Sequence, residues 1–156
     1  MSMSITISNF SKAKFTTANL FDGKSYKFTA DGTMEMLSQA PSDTIEPEGG
    51  QTKMVTKPNL LKWFENCVCD IGIGYNCSTG KGFSIVCHQQ MKVLGIGADP
   101  TWEIYDGLPN FGSWVNLDHS VSPYIFKSMP GITITATPSV TPGNIDIDVI
   151  IKDKKE

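Results

Sequence analysis

The chain predicts an all-β fold: a single-domain antiparallel β-sandwich of short strands over residues 1–156, with at most one short helix. Two observations carry that expectation. Apolar and polar residues alternate from Ile132 to Thr137 and again from Ile145 to Val149, around a break holding Pro138, Pro142, Gly143 and Asn144. Side chains of an extended chain point to opposite faces with a period of two. Ile132, Ile134, Ile145, Ile147 and Val149 should therefore enter a core, with Thr133, Thr135, Asp146 and Asp148 in water. Turn residues then punctuate the rest of the chain about every eight to twelve residues, the spacing of a sandwich.

The other elements follow in order. Ser4 to Ser8 alternates as an opening strand, Ala13 to Asn19 is β-prone, and Phe21-Asp22-Gly23-Lys24 turns into Tyr26 to Thr29. Asp31-Gly32 is the strongest tight-turn dipeptide present and leads to Thr33 to Leu37. From Gln39 to Gly50 the only apolar anchor is Ile45, and the composition suits a crossing between sheets. Between Thr56 and Phe64 a helical turn competes with a strand. Thr56 could cap it, Pro58 fits its first turn, and Leu60, Leu61 and Phe64 would share a face. Cys67 to Ile73 and Phe83 to Cys87 read as partner strands around a turn centred near Ser78. Met91 to Gly97, Thr101 to Tyr105, Ser113 to Leu117 and Ser122 to Lys127 are short strands, with Pro123 suited to a strand start or an edge.

Composition narrows the function classes. An apolar fraction of 40% and a charged fraction of 19% mark a globular chain. Its length allows burial of roughly two-thirds of the unfolded surface. All thirteen cationic side chains are lysine and the net charge is -3. Bidentate reading of guanine and planar clamping of phosphate are arginine chemistry, so duplex nucleic acid is not an expected partner; an A/T-rich gene would equally account for the missing arginine. Met1 to Ser8 shows no basic region and no apolar run of signal-peptide length. Cytoplasmic synthesis without a signal peptide is expected, with release, if any, by a leaderless route. No run approaches the roughly 20 apolar residues of a helical membrane span. Asn9-Phe10-Ser11 and Asn76-Cys77-Ser78 match the glycosylation pattern by chance on this reading.

The chemistry-bearing residues do not assemble a reaction. Cys67 and Cys69 share a strand face, and Cys69 is expected opposite Cys87. Buried reduced packing, a Cys69–Cys87 disulfide or a metal are the readings, with packing foremost. The spacing is wrong for a zinc knuckle, and reduced cysteine behaves as a small hydrophobe. His88 should point away from Cys87 by alternation. Asp118, His119 and Ser120 stand together, but neighbours in an extended chain point apart and make a poor triad. Asp146 and Asp148 read as a solvated face. The pairs Gly72/Gly74, Gly80/Gly82 and Gly95/Gly97 open no helix and read as bulges and turns. No enzyme activity, cofactor or metal is expected.

Aromatic residues are the most suggestive group. Trp102, Tyr105, Phe111, Trp114, Tyr124 and Phe126 fall close together, interleaved with Asp99, Asp106, Asn110, Asn116 and Asp118. They either pack a core or present rings to a ligand. Exposed rings with few charges suit a membrane interface, and equally a sugar stacked on a ring and hydrogen-bonded by Asp and Asn. The candidate contacts are Trp102, Tyr105, Phe111, Trp114 and Tyr124, with Asp106 and Asn110 holding the loop between them.

The layout is similar to that of the aegerolysin-like proteins and, more widely, the actinoporin-like single-domain cytolysins. The similarity rests on the alternating first strand with Asn9 after it, the Pro41 to Gly50 loop, the glycine-flanked strand at Gly80 to Phe83, and the closing strand Ile145 to Ile151. It spans most of the chain as order and spacing. The Trp-rich segment of aegerolysins has no counterpart, and arginine contacts to headgroups cannot exist here. The resemblance implies a non-enzymatic protein that binds a membrane lipid, as a cytolysin or insecticidal-type toxin component, and that forms homo-oligomers or recruits a pore-forming partner. A carbohydrate-binding lectin is the first alternative. A self-assembling structural protein, joined through strand edges near Tyr124 or Ile5, is the second.

Overall fold

A computed structural model describes residues 2–18, 21, 24–31, 35–58, 67–78, 80–91, 101–108, 115–117, 123–141 and 144–155. They form a two-sheet, all-β structure. The first sheet runs β11-β12-β13-β1-β6-β4, where β11 is Tyr124–Ile125, β12 Ile132–Thr141, β13 Asn144–Asp153, β1 Ser2–Asn9, β6 Gly50–Pro58 and β4 Glu35–Gln39. The second runs β10-β9-β8-β7-β2-β5, where β10 is Val115–Leu117, β9 Thr101–Leu108, β8 Gly82–Met91, β7 Cys67–Cys77, β2 Phe15–Thr17 and β5 Thr44–Ile45. In this sheet β3, Tyr26–Asp31, lies beyond β2 along the same edge of β7.

The inward face of each strand is its apolar face. From the first sheet come Met3, Ile5 and Ile7, Ile132 and Ile134, and Ile145, Ile147, Val149 and Ile151; from the second come Phe15, Ile71, Ile73, Tyr75, Phe83, Ile85, Trp102 and Ile104. Stacked sheets of this kind close a core about 10 Å thick. The C-terminal hairpin has the expected inward set, and its register pairs Thr141 with Asn144 across the break. Ile45 is buried, and the Gln39–Gly50 stretch does cross: it leaves β4, gives β5 to the second sheet and returns as β6.

Four expectations change. Ile5 is on no edge, because β1 pairs in parallel with β13 on one side and antiparallel with β6 on the other. The strands flanking Asp31-Gly32 form no hairpin with each other: β3 pairs β7 in one sheet and β4 pairs β6 in the other, and Gly32 itself lies outside the described residues. Thr56 caps no helix. It lies in β6, where its hydroxyl accepts from the Met3 amide at 3.0 Å, and Pro58 ends the same strand. Leu60, Leu61 and Phe64 lie outside the described residues, as do Lys92 to Gly97. Finally, Cys69 pairs with Gln89 and Cys87 with Ile71, two residues off the expected register. Cys69, Cys77 and Cys87 are buried and outside any disulfide.

Asn9 is a buried organiser rather than an acceptor for a glycan. Its amide donates to the Ala13 and Glu46 carbonyl oxygens at 2.7 and 3.1 Å, and its oxygen accepts from the Ser11 amide and hydroxyl at 3.1 and 2.7 Å. It thereby ties the exit of β1 to the turn before β6.

Candidate functional site on the outer face of the second sheet

Alternation leaves a polar outer face on the second sheet. The register aligns Lys27, Gly72, Val86 and Glu103 in one row across β3, β7, β8 and β9. The next row is Thr29, Asp70, His88 and Thr101. At strand spacings of about 4.8 Å, each row spans about 14 Å.

Gly72 shapes this face. Having no side chain, it lets the Val86 side chain and the Phe21 ring close over its backbone. Phe21 is held by the turn expected there: the Lys24 amide donates to the Phe21 carbonyl oxygen at 3.0 Å. A hollow of about 290 Å³ is bounded by Lys27, Asp70, Val86, His88, Thr101 and Glu103. A second, of about 500 Å³, wraps the β3 edge between Phe21, Lys24, Tyr26, Lys27, Phe28 and Leu37. Lys27 belongs to both. In the second, the Lys24 ammonium stands 5.8 Å from the centre of the Tyr26 ring, within cation–π range.

His88 and Asp70 face each other across the strands, with Nδ1 2.5 Å from Oδ1. The carboxylate fixes the imidazole's orientation and leaves its other nitrogen for a ligand. Cys87 gives His88 no nucleophilic partner: it points into the core, where burial, with a smaller contribution from Asp70, pushes its thiol pKa up and holds it protonated. Among the described residues no group of three His, Cys, Asp or Glu side chains could hold a metal.

The aromatic residues singled out from the sequence do not form one site. Trp102 is 1% exposed in the core, on the opposite face of β9 from Tyr105, so it offers nothing to a ligand. Tyr105 lies with Glu103 on the outer face, half-buried. Asp106 is a clamp between the sheets: its carboxylate accepts from the Lys127 and Ser128 amides at 2.6 and 3.1 Å, and from the Tyr124 hydroxyl at 3.4 Å. Tyr124 packs edge-on against Phe126 at 5.2 Å, and burial, then the Asp106 carboxylate, raises its pKa. Asn110, Phe111 and Trp114 lie outside the described residues, as do Asp118 and His119.

The sequence singles out none of Phe21, Lys27, Asp70, Val86 and Glu103 as a contact, and places His88 only by its alternation with Cys87. The signal for part of this set was the β7–β8 hairpin. Centring its turn on residue 79 rather than Ser78 sets Asp70 opposite His88.

No family model and no curated protein matches the chain. Among solved structures it is similar to the lectin XCL of Xerocomus chrysenteron. A mutated form of that lectin aligns at 13% identity and a TM-score of 0.43, covering 97% of this chain and 98% of the lectin. The wild-type lectin aligns at 11% identity and a TM-score of 0.39, covering 97% and 99%. At those values the likeness says nothing about what this chain binds.

Proposed function

We propose that this chain is a non-enzymatic carbohydrate-binding protein whose sugar site is the hollow around Val86. The observation that carries the reading is an apolar floor ringed by hydrogen-bonding groups of both kinds. A sugar ring has an apolar face of C–H groups and a rim of hydroxyls. Val86 offers the floor, with the Phe21 ring in the adjoining hollow; Lys27 and Thr101 donate, Asp70 and Glu103 accept, and His88 offers its outer nitrogen. Rows about 14 Å long accommodate one or two sugar rings.

A glycan array read with the wild-type chain, then with Lys27→Ala and Glu103→Gln, tests this. Each substitution removes a charge-assisted hydrogen bond and weakens binding about tenfold. A chain that binds no glycan contradicts the reading. So does one that loses nothing on either substitution.

A second reading rests on Tyr105 and Tyr124, both half-buried, the first on the outer face of the second sheet and the second bonded to Asp106. Here the chain binds a membrane lipid, as a cytolysin or insecticidal-type toxin component acting as an oligomer or with a pore-forming partner. The aegerolysin-like layout supports it. Binding would come from ring insertion and headgroup hydrogen bonds. Failure to sediment with zwitterionic sphingolipid/sterol vesicles removes this reading.

A further inference from the structure

The outer face of the first sheet carries a pattern that neither reading uses. Along β13 its outward residues are Asp146, Asp148, Ile150 and Lys152, and Lys154 follows them on the same ladder, its amide bonded to the Gly131 carbonyl oxygen. Charge therefore reads minus, minus, neutral, plus, plus. The neighbouring strands keep this face flat with short side chains: Ser4, Thr6 and Ser8 on β1, and Thr133, Thr135, Thr137 and Ser139 on β12. Ile125, Thr135, Ile150 and Ser8 align in one row across its middle. Ile125 ends that row and Phe10 follows β1. At 53% and 55% exposed, they are the exposed large apolar side chains among the described residues.

We propose that this face binds a second copy of the chain, through a two-fold axis lying along the Ile125–Thr135–Ile150–Ser8 row. Such an axis reverses strand direction and keeps lateral order. Asp148 of each copy then meets Lys152 of the other, Asp146 meets Lys154, and Ile150 and Ile125 each meet their own equivalents. A closed two-fold contact needs a self-complementary patch, and a charge series that inverts about its apolar centre is one. Sheets stacked face to face lie about 30° off alignment, so the pairs nearest the axis, Asp148 with Lys152, carry most of the complementarity. Two outer groups have partners already: the Ser4 hydroxyl bonds Asp146, and the Lys154 amine rests on the Met129 carbonyl oxygen at 3.3 Å. The footprint, from strand spacing and rise, is on the order of 500 Å² per copy. That is below the roughly 800 Å² per partner of a standard stable interface, so the dimer is weak and salt-sensitive.

If the cleft around Val86 binds sugar, the dimer holds two such clefts on its far sides, spaced to cross-link a surface. That consequence rests on the carbohydrate reading; the association itself does not. Sedimentation velocity from micromolar to millimolar chain, at low and high salt and without sugar, reads the association alone. Concentration-dependent dimer that weakens with salt is expected. Asp148→Lys alone and Lys152→Asp alone should each weaken it about tenfold or more, since each turns two symmetry-related attractions into repulsions. Mixing these two single variants should restore a heterodimer, and the double variant should restore a homodimer. A monomer throughout overturns the proposal. So does a dimer indifferent to the charge changes, or a face that captures anionic vesicles through Phe10 and Ile125 while the chain stays monomeric.

Discussion

The ring of Phe21 lies over Gly72, so close that a methyl group at position 72 would stand 3.3 Å from Phe21 Cζ and 3.1 Å from Val86 Cγ2. The missing side chain of this glycine is what lets Phe21 and Val86 pack so closely on the outer face of the second sheet. Gly72→Ala should displace the Phe21 ring and weaken sugar binding about tenfold. Its stability should shift by less than about 1 kcal/mol, because alanine is easier to order in a strand. Parallel binding isotherms and urea melts separate the two effects.

Trp102 behaves as core, not as ligand contact. Trp102→Ala should cost about 3–5 kcal/mol in urea unfolding, the penalty of deleting a large buried ring. The fraction that remains folded should bind its ligand unchanged. A selective loss of binding at unchanged stability would return Trp102 to the contact set.

Asp106 joins β9 to the segment after β11 by accepting two backbone amides. Asp106→Ala leaves those amides without their acceptor and should lower stability by about 1–3 kcal/mol. Sugar affinity should hold. Equilibrium denaturation with a binding titration checks both.

Tyr75 sets an alkaline limit. Its hydroxyl donates to the Ser42 carbonyl oxygen at 2.6 Å, and burial pushes its pKa up to about 12 from 10. Between those values the unfolded chain has lost the phenol proton and the folded chain retains it, so unfolding releases a proton. Tyr75's contribution is complete below pH 10 and is lost as pH rises to about 12. Tyr75→Phe should flatten that part of the stability–pH curve relative to wild type, read from thermal melts.

Strand alternation was legible because it is local. Ile132 to Ile151 shows which side chains are inward without knowledge of their partners, and Ile45 stands out as the single apolar anchor of its loop. Pairing was not legible, because it is set by contacts distant in the chain. Nothing near Ile5 announces that β1 runs between β13 and β6, and nothing in Asp31-Gly32 says that its flanking strands belong to different sheets. The candidate site suffered for the same reason. Lys27, Asp70, Val86 and Glu103 are ordinary residues in sequence, and only register gathers them. A one-residue error in a hairpin centre moves every partner by two, which was enough to hide Asp70 opposite His88. The aromatic residues drew the eye by type, and type does not distinguish the inward face of Trp102 from the outward face of Tyr105.

The most direct test is an amide-resolved NMR titration of the whole chain with the sugar that an array selects. Saturable shifts should cluster on Lys27, Asp70, Gly72, Val86, His88, Thr101 and Glu103. Shifts gathered instead around Asp106 and Tyr124, or scattered without saturation, would contradict a sugar site on the outer face of the second sheet.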